Sequence, residues 1–246
     1  MIVRYDQIDS TNRVAKELIA AGTPSGTIVW TDTQSAGRGQ YGRAFDSPQG
    51  GLYFSLVLEP ELPLEQLPLI TLATGLACQK VLTNRWGLSP LIKWPNDVYL
   101  GGRKVAGILC ENLIRPGSGD VLSATVVIGV GMNVNNRVDD FAAEIQPVVT
   151  TLFEHLHVPV ELDGLLTSLA DAIAEQVARL AHDRPALLAE WRQVDLLCGR
   201  AVVYRRDDQC LTGTGKGITD QGAYRIREES GIEHQAIGGQ LRLCAA

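Results

Sequence analysis

The spacing of apolar residues predicts a chain that mixes helices with strands. Two adjoining apolar rows at helical spacing run through residues 68–85, and another apolar stripe extends from Leu166 to Leu180. Asp183 and Pro185 suit the cap and the first position of a further helix. Short apolar runs indicate strands at residues 2–8, 27–31, 52–58 and 123–130. The run at 52–58 is strongly apolar, which is typical of a strand inside a central sheet.

The pattern changes near residues 194–198. Beyond this point, short strand-like runs separated by turn sequences occur at residues 201–204, 210–215, 223–226 and 240–243. Several short strands at such intervals are typical of a small β-barrel. We therefore predict one domain at residues 1–195 and a second at residues 196–246. Turns are expected at residues 115–120 and 207–208.

The stretch from 93 to 109 contains a clear hairpin signal. Gly101-Gly102 separates two strand-forming runs, and such a pair marks a two-residue turn because both glycines can take positive φ. The register then pairs Leu100 with Arg103, Tyr99 with Lys104, and Asp97 with Ala106. Asp97, Tyr99 and Lys104 therefore share one face, with Asp97 and Lys104 as diagonal neighbours. This geometry fits either a reactive site or a solvated surface ion pair, and the hairpin alone leaves both open.

Three further stretches have both a structural and a functional interpretation. Residues 9–12 (DSTN) are helix-capping types, and a helix start also offers free N–H groups to a polar ligand. Residues 33–51 form a glycine-rich loop with Arg38 and Arg43, which suits an anion-binding loop or a flexible surface loop. The glycines within 129–131 allow a flat ligand to approach the backbone, or simply make a turn.

Composition restricts the possible classes of function. The 246 residues, 45% hydrophobic and 20% charged, suffice for one full core and a small second domain. The net charge of -6 argues against a general nucleic-acid surface. The five cysteines are scattered and form no C-x-x-C pair, which indicates reduced thiols and a cytoplasmic protein. We find no signal peptide, no apolar run of membrane length, and no metal-binding or triad pattern among the four histidines.

Four motifs follow one another along the chain, at residues 9–12 (DSTN), 34–39 (QSAGRG), 93–109 (KWPND and RKVAGIL) and 129–133 (GVGMN). Together they resemble the motifs of biotin protein ligases, which adenylate biotin and transfer it to a lysine of a carrier protein. The resemblance covers nearly the whole chain. It implies an α+β fold of the class II synthetase-like biotin/lipoate ligase type, with a mixed central sheet, helices packed on one side, and a small C-terminal SH3-like β-barrel. Because DSTN begins at residue 9, we expect the monofunctional form without an N-terminal DNA-binding domain.

The resemblance also implies roles for individual residues. Biotin would be bound by Ser10, Thr11, Asn12, Gln34, Gly37, Arg38, Tyr53, Lys104, Gly107 and Leu109. ATP and the adenylate would be bound by Arg38, Arg43, Phe45, Asn96, Lys104 and Asn133. Lys104, Asp97 and Arg38 would be catalytic: Lys104 binds the reacting anions, and Asp97 positions it, helps to hold metal, or assists the incoming lysine. Mg²⁺ would accompany ATP, at ligands that the motifs do not identify.

The implied chemistry needs positive charge, because the carboxylate of biotin must meet a phosphate of ATP. In this acidic protein we expect a local cluster of cations from Arg38, Arg43, Lys93, Arg103 and Lys104. Gln40 stands where the family often has a basic residue, and we hypothesise that the adenylate is held less tightly as a result. Phe141 is the one aromatic residue in the loop at 136–150 that is available to cover adenine.

Two other functions share parts of this pattern. A lipoate- or octanoyl-protein ligase would use the same fold and a catalytic lysine, although Gln34 and Arg38 suit a polar ureido group better than an apolar chain. A non-catalytic biotin-sensing protein would not need both Lys104 and Asp97. For a ligase, the expected partner is the biotin carboxyl carrier domain of a biotin-dependent carboxylase, without DNA or a membrane. A homodimer formed through sheet edges is left open.

Overall fold

A seven-stranded mixed sheet forms the larger part of the protein, whose computed structural model describes residues 1–116, 122–206 and 209–244. Its strands are β1 (Ile2–Ile8), β2 (Ile28–Gln34), β3 (Leu52–Leu58), β4 (Leu91–Lys93), β5 (Asp97–Leu100), β6 (Arg103–Pro116) and β7 (Leu122–Met132). They lie in the order β1-β2-β3-β7-β6-β5-β4. β1 and β2 are parallel, and the other neighbours are antiparallel. Most of the predicted turn at 115–120, and that at 207–208, lie outside the described residues.

Three of the helices pack on one face of this sheet. The α-helices of the described residues are α1 (Thr11–Ala20), α2 (Leu69–Trp86), α3 (Leu152–Leu156), α4 (Leu162–His182) and α5 (Arg184–Gln193). α2, α4 and α5 pack against alternate strand residues such as Trp30, Phe54 and Ile128 to form the main core. The helix predicted at 68–85 and the apolar stripe from Leu166 to Leu180 are confirmed, since the stripe is buried in this core.

The first helix lies on the opposite face. Its apolar side chains and those of the strands beneath it form a separate small core of Val14, Ala15, Ile19, Val29, Val57 and Val127. The expectation that the helices pack on one side is therefore wrong. The physical reason is that β2, β3 and β7 are apolar on both faces, so the second face also needs cover. α1 supplies that cover over only part of the sheet.

The central hairpin has the predicted turn but not the full predicted register. Gly101 and Gly102 have φ values of 57° and 79°, and Tyr99 pairs with Lys104 as expected. Asp97, however, pairs with Gly107 instead of Ala106. An irregularity between the two pairings leaves Val105 as an extra residue in β6, which is a β-bulge.

The C-terminal residues form a second, antiparallel sheet. Its strands are β8 (Ala201–Arg206), β9 (Gln209–Ile218), β10 (Tyr224–Arg227), β11 (Glu233–Ala236) and β12 (Gln240–Leu243), in the order β11-β10-β9-β8-β12. The predicted α+β class with a small β domain is confirmed. Within the described residues, no helix is both long enough and apolar enough to cross a membrane.

The segment that joins the two sheets is bonded to both of them. The N–H of Ile92 in β4 donates to the Val194 carbonyl at 2.7 Å, and the N–H of Leu196 donates to the Ile92 carbonyl at 2.9 Å. The Tyr224 hydroxyl of β10 donates to the Asp195 carboxylate at 2.8 Å. The division between residues 195 and 196 stays a prediction, because the chain there belongs to both units.

Asp195 gives this joint a dependence on pH. Burial raises the pKa of its carboxyl to about 6, although the Leu197 N–H and the Tyr224 hydroxyl donate to it. The folded protein therefore binds this proton more tightly than the unfolded chain does. As pH rises from about 4 to above 6, the contribution of Asp195 to the free energy of unfolding falls.

We expect Asp195→Asn to gain stability relative to the wild type as pH rises from 4 to 7, because the variant carries no charge at this position. Urea unfolding of both proteins at pH 4, 5, 6 and 7 measures the difference. Asp220→Asn is the matched control, since Asp220 pairs with Arg192 at the surface. A difference between Asp195→Asn and the wild type that is the same at every pH would contradict the prediction.

Candidate active site

A cavity opens on the α1 face of the larger sheet. It encloses about 680 Å³ of empty space when the part open to solvent is counted. Its floor is the backbone of β6 and β7, and its walls are the start of α1, the loop at 38–45 and the beginning of β5. The predicted site residues that line it are Ser10, Thr11, Asn12, Gln34, Arg38, Arg43, Phe45, Asn96, Asp97, Lys104, Gly107 and Leu109.

Glycines make the floor of the cavity possible. Gly107 and Gly131 pair across β6 and β7, and Gly129 lies two residues earlier on the same face of β7. A Cβ atom on Gly131 would lie 2.3 Å from the Phe45 ring, and one on Gly129 would lie 2.2 Å from Asn12 Oδ1. The aromatic ring and the start of α1 therefore rest directly on the backbone of the sheet.

An ion pair stands at one end of the floor. Lys104 Nζ lies 2.6 Å from Asp97 Oδ1, and Lys93 Nζ lies 3.8 Å from Asp97 Oδ2. Both the Asp97 and the Lys93 side chains are only 17% exposed, whereas Lys104 is 27% exposed toward the cavity. Lys104 Nζ also lies 5.5 Å from the centre of the Phe45 ring. Because the ion pair is largely withdrawn from water, the hairpin fits a reactive site better than it fits a solvated surface ion pair.

Lys93 occupies an environment that is less favourable for a positive charge than that of Lys104. Burial lowers the pKa of Lys93, and the positive charges of Lys104, Arg242 and Arg43 lower it further, against the opposing effect of Asp97. Its Nζ lies 5.7 Å from the centre of the Tyr99 ring. The Tyr99 ring therefore contacts Lys93, and burial raises the pKa of its hydroxyl to about 12.

The opposite end of the cavity is polar and uncharged. The N–H and the hydroxyl of Thr11 donate to Gln34 Oε1 at 2.9 and 3.3 Å, and Gln34 Nε2 donates to Ser47 Oγ at 2.9 Å. Ser10 is the N-cap residue of α1, but its side chain makes no capping hydrogen bond. Its hydroxyl therefore lines the cavity without being used by the helix, contrary to the purely structural interpretation.

Asn12 holds the start of α1 against the sheet. Its Nδ2 donates to the Leu109 carbonyl at 3.2 Å and to Glu111 Oε2 at 2.8 Å, while Ser55 Oγ lies 2.6 Å from its Oδ1. Lys16 completes the group by pairing with Glu111 at 2.7 Å. Ser55 and Glu111 were not found in the sequence, because single polar residues within apolar strands give no spacing signal. Ser47 lies in the glycine-rich loop, where no pattern singles it out.

Three predicted site residues lie outside the lining of the cavity. Gly37 is buried, and its carbonyl accepts a 2.8 Å bond from the Phe45 N–H that closes the loop. Tyr53 is fully buried behind Phe45, with the two ring centres 6.4 Å apart, and its hydroxyl donates to Pro48 O at 2.7 Å. Tyr53 therefore supports the wall of the cavity, and its part in binding biotin stays a prediction.

Asn133 is the third of these residues. Its Nδ2 donates to the Thr150 carbonyl at 2.9 Å, and Thr150 in turn donates its N–H to the Lys104 carbonyl. The side chain is buried, and its Oδ1 has no hydrogen-bond partner within the described part of the chain. Asn133 thus links the end of β7 to the strand that carries Lys104, and retains one unused acceptor.

The cations of the glycine-rich loop surround the cavity entrance. The Gly39 N–H donates to the Arg43 carbonyl at 2.7 Å, and Arg38 bridges to Ala44, so the loop folds back as a short hairpin. Arg38 and Arg43 line the cavity with Lys104. Arg103 does not: it directly follows the Gly101-Gly102 turn. Burial lowers the pKa of His155 there, and the charge of Arg103 lowers it further.

Among the described residues, no three His, Cys, Asp or Glu side chains are grouped so that they could hold a metal ion. Asp97 is the only carboxylate in the part of the lining that the structure describes.

Comparisons with known proteins agree on one family. Residues 5–133 match the biotin/lipoate A/B protein ligase family. The biotin–[acetyl-CoA-carboxylase] ligase of Paracoccus denitrificans is 34% identical over 234 residues, which cover 91% of this chain and 92% of the relative. The bifunctional ligase/repressor BirA of Bacillus spizizenii is 31% identical over 234 residues, which cover 94% of this chain and 71% of the relative.

A solved structure agrees over the whole chain. The biotin protein ligase of Aquifex aeolicus, in complex with biotin and ATP, matches with a TM-score of 0.85 at 29% identity. The match covers 99% of each chain, so it includes the C-terminal sheet.

We expect Gly129→Ala to destabilise the protein by about 1–3 kcal/mol, because the new Cβ atom would overlap Asn12 and push α1 off the sheet. Urea unfolding measures the loss. Gly39→Ala is the matched control: its φ of -108° suits any residue, and its Cβ would have an ordinary 3.5 Å contact. Equal stabilities of the two variants would contradict the close-packing argument.

Proposed function

The chain belongs to the biotin/lipoate A/B protein ligase family, and we propose that it is an ATP-dependent biotin–protein ligase. The carboxylate of biotin attacks the α-phosphate of ATP, which forms biotinyl-5′-AMP and releases pyrophosphate. A carrier lysine then attacks the acyl carbon, which forms an amide and releases AMP. The observation that carries this proposal is the Lys104–Asp97 ion pair, held between a polar pocket and a cationic loop.

The polar end of the cavity supports biotin as the acyl substrate. A ureido group presents both N–H donors and a carbonyl acceptor. Ser10, Thr11 and Gln34 offer hydroxyl and amide groups of matching kinds at that end, and Arg38 lines the same cavity. Lipoate would present no amide-like donor or acceptor to this end of the cavity. We assign Gly107 and Leu109 to the floor beneath the ligand, since both line the cavity on β6.

Lys104 is the residue that we assign to the reacting anions. Two negative groups must approach each other, and a fixed ammonium in a site withdrawn from water lowers the energy of that approach. Asp97 holds the ammonium in place at 2.6 Å. Its second oxygen is only 3.8 Å from Lys93 and remains able to accept a proton from the incoming carrier lysine.

Asn96 is the asparagine that lines the space proposed for adenine. Asn133 is buried outside the lining of the cavity, so its part in binding adenine stays a prediction. Asn96 lines the cavity, and its Nδ2 donates to the Ile108 carbonyl at 2.8 Å, which fixes the orientation of its amide. Phe45 and Arg43 lie on the loop side of the same space.

The magnesium expected from the family fits this donor set only as a companion of ATP. Mg²⁺ is commonly bound by one or two carboxylates together with phosphates and water, and Asp97 is the carboxylate at hand. Its chemistry would be to neutralise charge on the phosphates. The steps above depend on the side chains of the protein itself.

The expected partner is the biotin carboxyl carrier domain of a carboxylase, in line with the name of the Paracoccus relative. Incubation with labelled biotin, ATP and Mg²⁺ plus such a domain tests the function. We expect label on the carrier and release of pyrophosphate, with no reaction when lipoate replaces biotin. Transfer of lipoate instead would favour the lipoate-ligase alternative. Cytoplasmic location, pairing of two copies and lack of DNA binding stay predictions.

We expect Lys104→Ala to reduce formation of biotinyl-AMP by at least about a hundredfold, because the charge at the reacting anions is lost. Pyrophosphate release in a single turnover measures the rate, and circular dichroism measures the fold. Lys80→Ala is the matched control, since Lys80 pairs with Glu190 between α2 and α5 on the other face of the sheet. Near-normal turnover in Lys104→Ala would refute the assignment.

We expect Gln40→Arg to slow the escape of free biotinyl-AMP by about tenfold, because Gln40 lines the cavity and a cation there would bind the adenylate phosphate. Gln40→Glu should accelerate the escape through the opposite charge. The escape is measured by trapping the released adenylate in the absence of carrier. The same escape rate in Gln40→Arg and the wild type would show that this position does not control retention.

A further inference from the structure

Tyr41 is an exposed residue of the glycine-rich loop that faces away from the cavity. Its side chain does not line the cavity, whereas Gln40 before it and Arg43 after it do. The residue is 62% exposed, and its backbone has φ 58° and ψ 33°, a left-handed conformation that non-glycine residues rarely adopt. An unfavourable conformation in an exposed residue needs a contact that maintains it.

That contact comes from the C-terminal sheet. The N–H of Gly239 donates a hydrogen bond to the Tyr41 hydroxyl, and the Gly239 carbonyl lies 3.5 Å from the same oxygen. The two residues are 198 positions apart in the chain. The bond therefore joins the loop over the cavity to the turn between β11 and β12.

The turn is built to present its backbone at this point. Gly239 has φ 91°, and a Cβ atom there would lie 2.8 Å from the Arg205 carbonyl and from the Tyr204 ring. The turn thus lies directly on β8. The preceding Gly238 would place a Cβ atom 3.3 Å from the Tyr41 hydroxyl. Both glycines leave room for the phenol and fix the donor that it meets.

The loop separates two connected spaces. On one side is the cavity, and on the other is a cleft whose lining includes Lys93, Asp97, Gly239 and Arg242. Gln40, Arg43, Asn96 and Asp97 line both spaces. A shift of the loop away from β12 would therefore open the cavity at the end where Lys104 and Asp97 lie.

We propose that Tyr41 is a positioning residue that latches the glycine-rich loop to the C-terminal sheet and keeps it closed over the activated intermediate. This inference rests on the proposed function. The latch contributes to retention of biotinyl-AMP until the carrier arrives, and not to the attack of biotin on ATP. The Tyr41 side chain acts through Gln40 and Arg43, its neighbours on the cavity wall.

The experiment uses the full chain with biotin, ATP and Mg²⁺, without carrier. Formation of the intermediate is followed by pyrophosphate release in a single turnover, and escape by trapping free biotinyl-AMP. We expect Tyr41→Phe, which lacks only the hydroxyl, to accelerate escape about three- to tenfold while formation stays close to the wild-type rate. Tyr41→Asn should do the same, because asparagine tolerates the left-handed conformation but is too short to reach Gly239. Tyr5→Phe on β1 is the matched control and should leave both rates unchanged.

The possible results separate this inference from the function on which it rests. A wild-type protein that forms no biotinyl-AMP would overturn the proposed function, and the latch with it. Normal formation with equal escape from Tyr41→Phe and the wild type would overturn the latch alone. Faster escape from Tyr41→Asn but not from Tyr41→Phe would also overturn it, because the ring and not the hydrogen bond would then hold the loop.

Discussion

The extra residue Val105 decides which side chains of β6 face the cavity. Beyond the bulge, Gly107 and Leu109 face the cavity, whereas Ala106 and Ile108 face the main core. In an unbroken register these two sets would be exchanged, since a shift of one residue moves every later side chain to the other face. Lys104, before the bulge, stays on the cavity side. The bulge thus sets the lysine above a glycine, where a Cβ atom would be 2.9 Å from its Nζ.

A continuous set of hydrogen bonds fixes the other end of the cavity. Ser47 bonds to Gln34, Gln34 to Thr11, and Ser55 to both Thr11 and Asn12. These side chains come from the glycine-rich loop, β2, α1 and β3. Each of these side chains is already hydrogen-bonded and largely buried. They therefore lose little further conformational entropy when a ligand binds. The arrangement favours a pocket whose shape exists before binding.

Much of the fold and of the candidate site could be predicted from the sequence, and the features that could not have physical reasons. The turn at Gly101-Gly102 and the closeness of Asp97 to Lys104 follow from local rules of hairpin geometry. The bulge does not, because register counted from the turn assumes one partner per residue. Likewise, helical spacing shows which side of α1 is apolar but not which face of the sheet it covers.

Residues whose roles depend on long-range contacts were harder still to predict from the sequence. Tyr53 and Asn133 stand in the expected motifs or strands, yet their side chains bond to Pro48 and Thr150, and no spacing pattern encodes those partners. No sequence pattern indicated a role for Tyr41, because its hydrogen-bond partner lies in the other sheet. Resemblance assigned roles to positions, and packing then separated the side chains on the cavity surface from those behind it.

The joint at Val194 and Leu196 has a consequence for how the molecule can move. By bonding to both the N–H and the carbonyl of Ile92, the joining segment adds a short parallel partner to β4, the outermost strand on that side. The sheet edge there is covered, so another chain cannot pair with Ile92. A swing of the C-terminal sheet would break these ladder bonds and remove Trp94 Nε1 from the Gly222 carbonyl at 3.0 Å. The second sheet is therefore held in a fixed position against the larger sheet, and the cavity opens through movement of the glycine-rich loop.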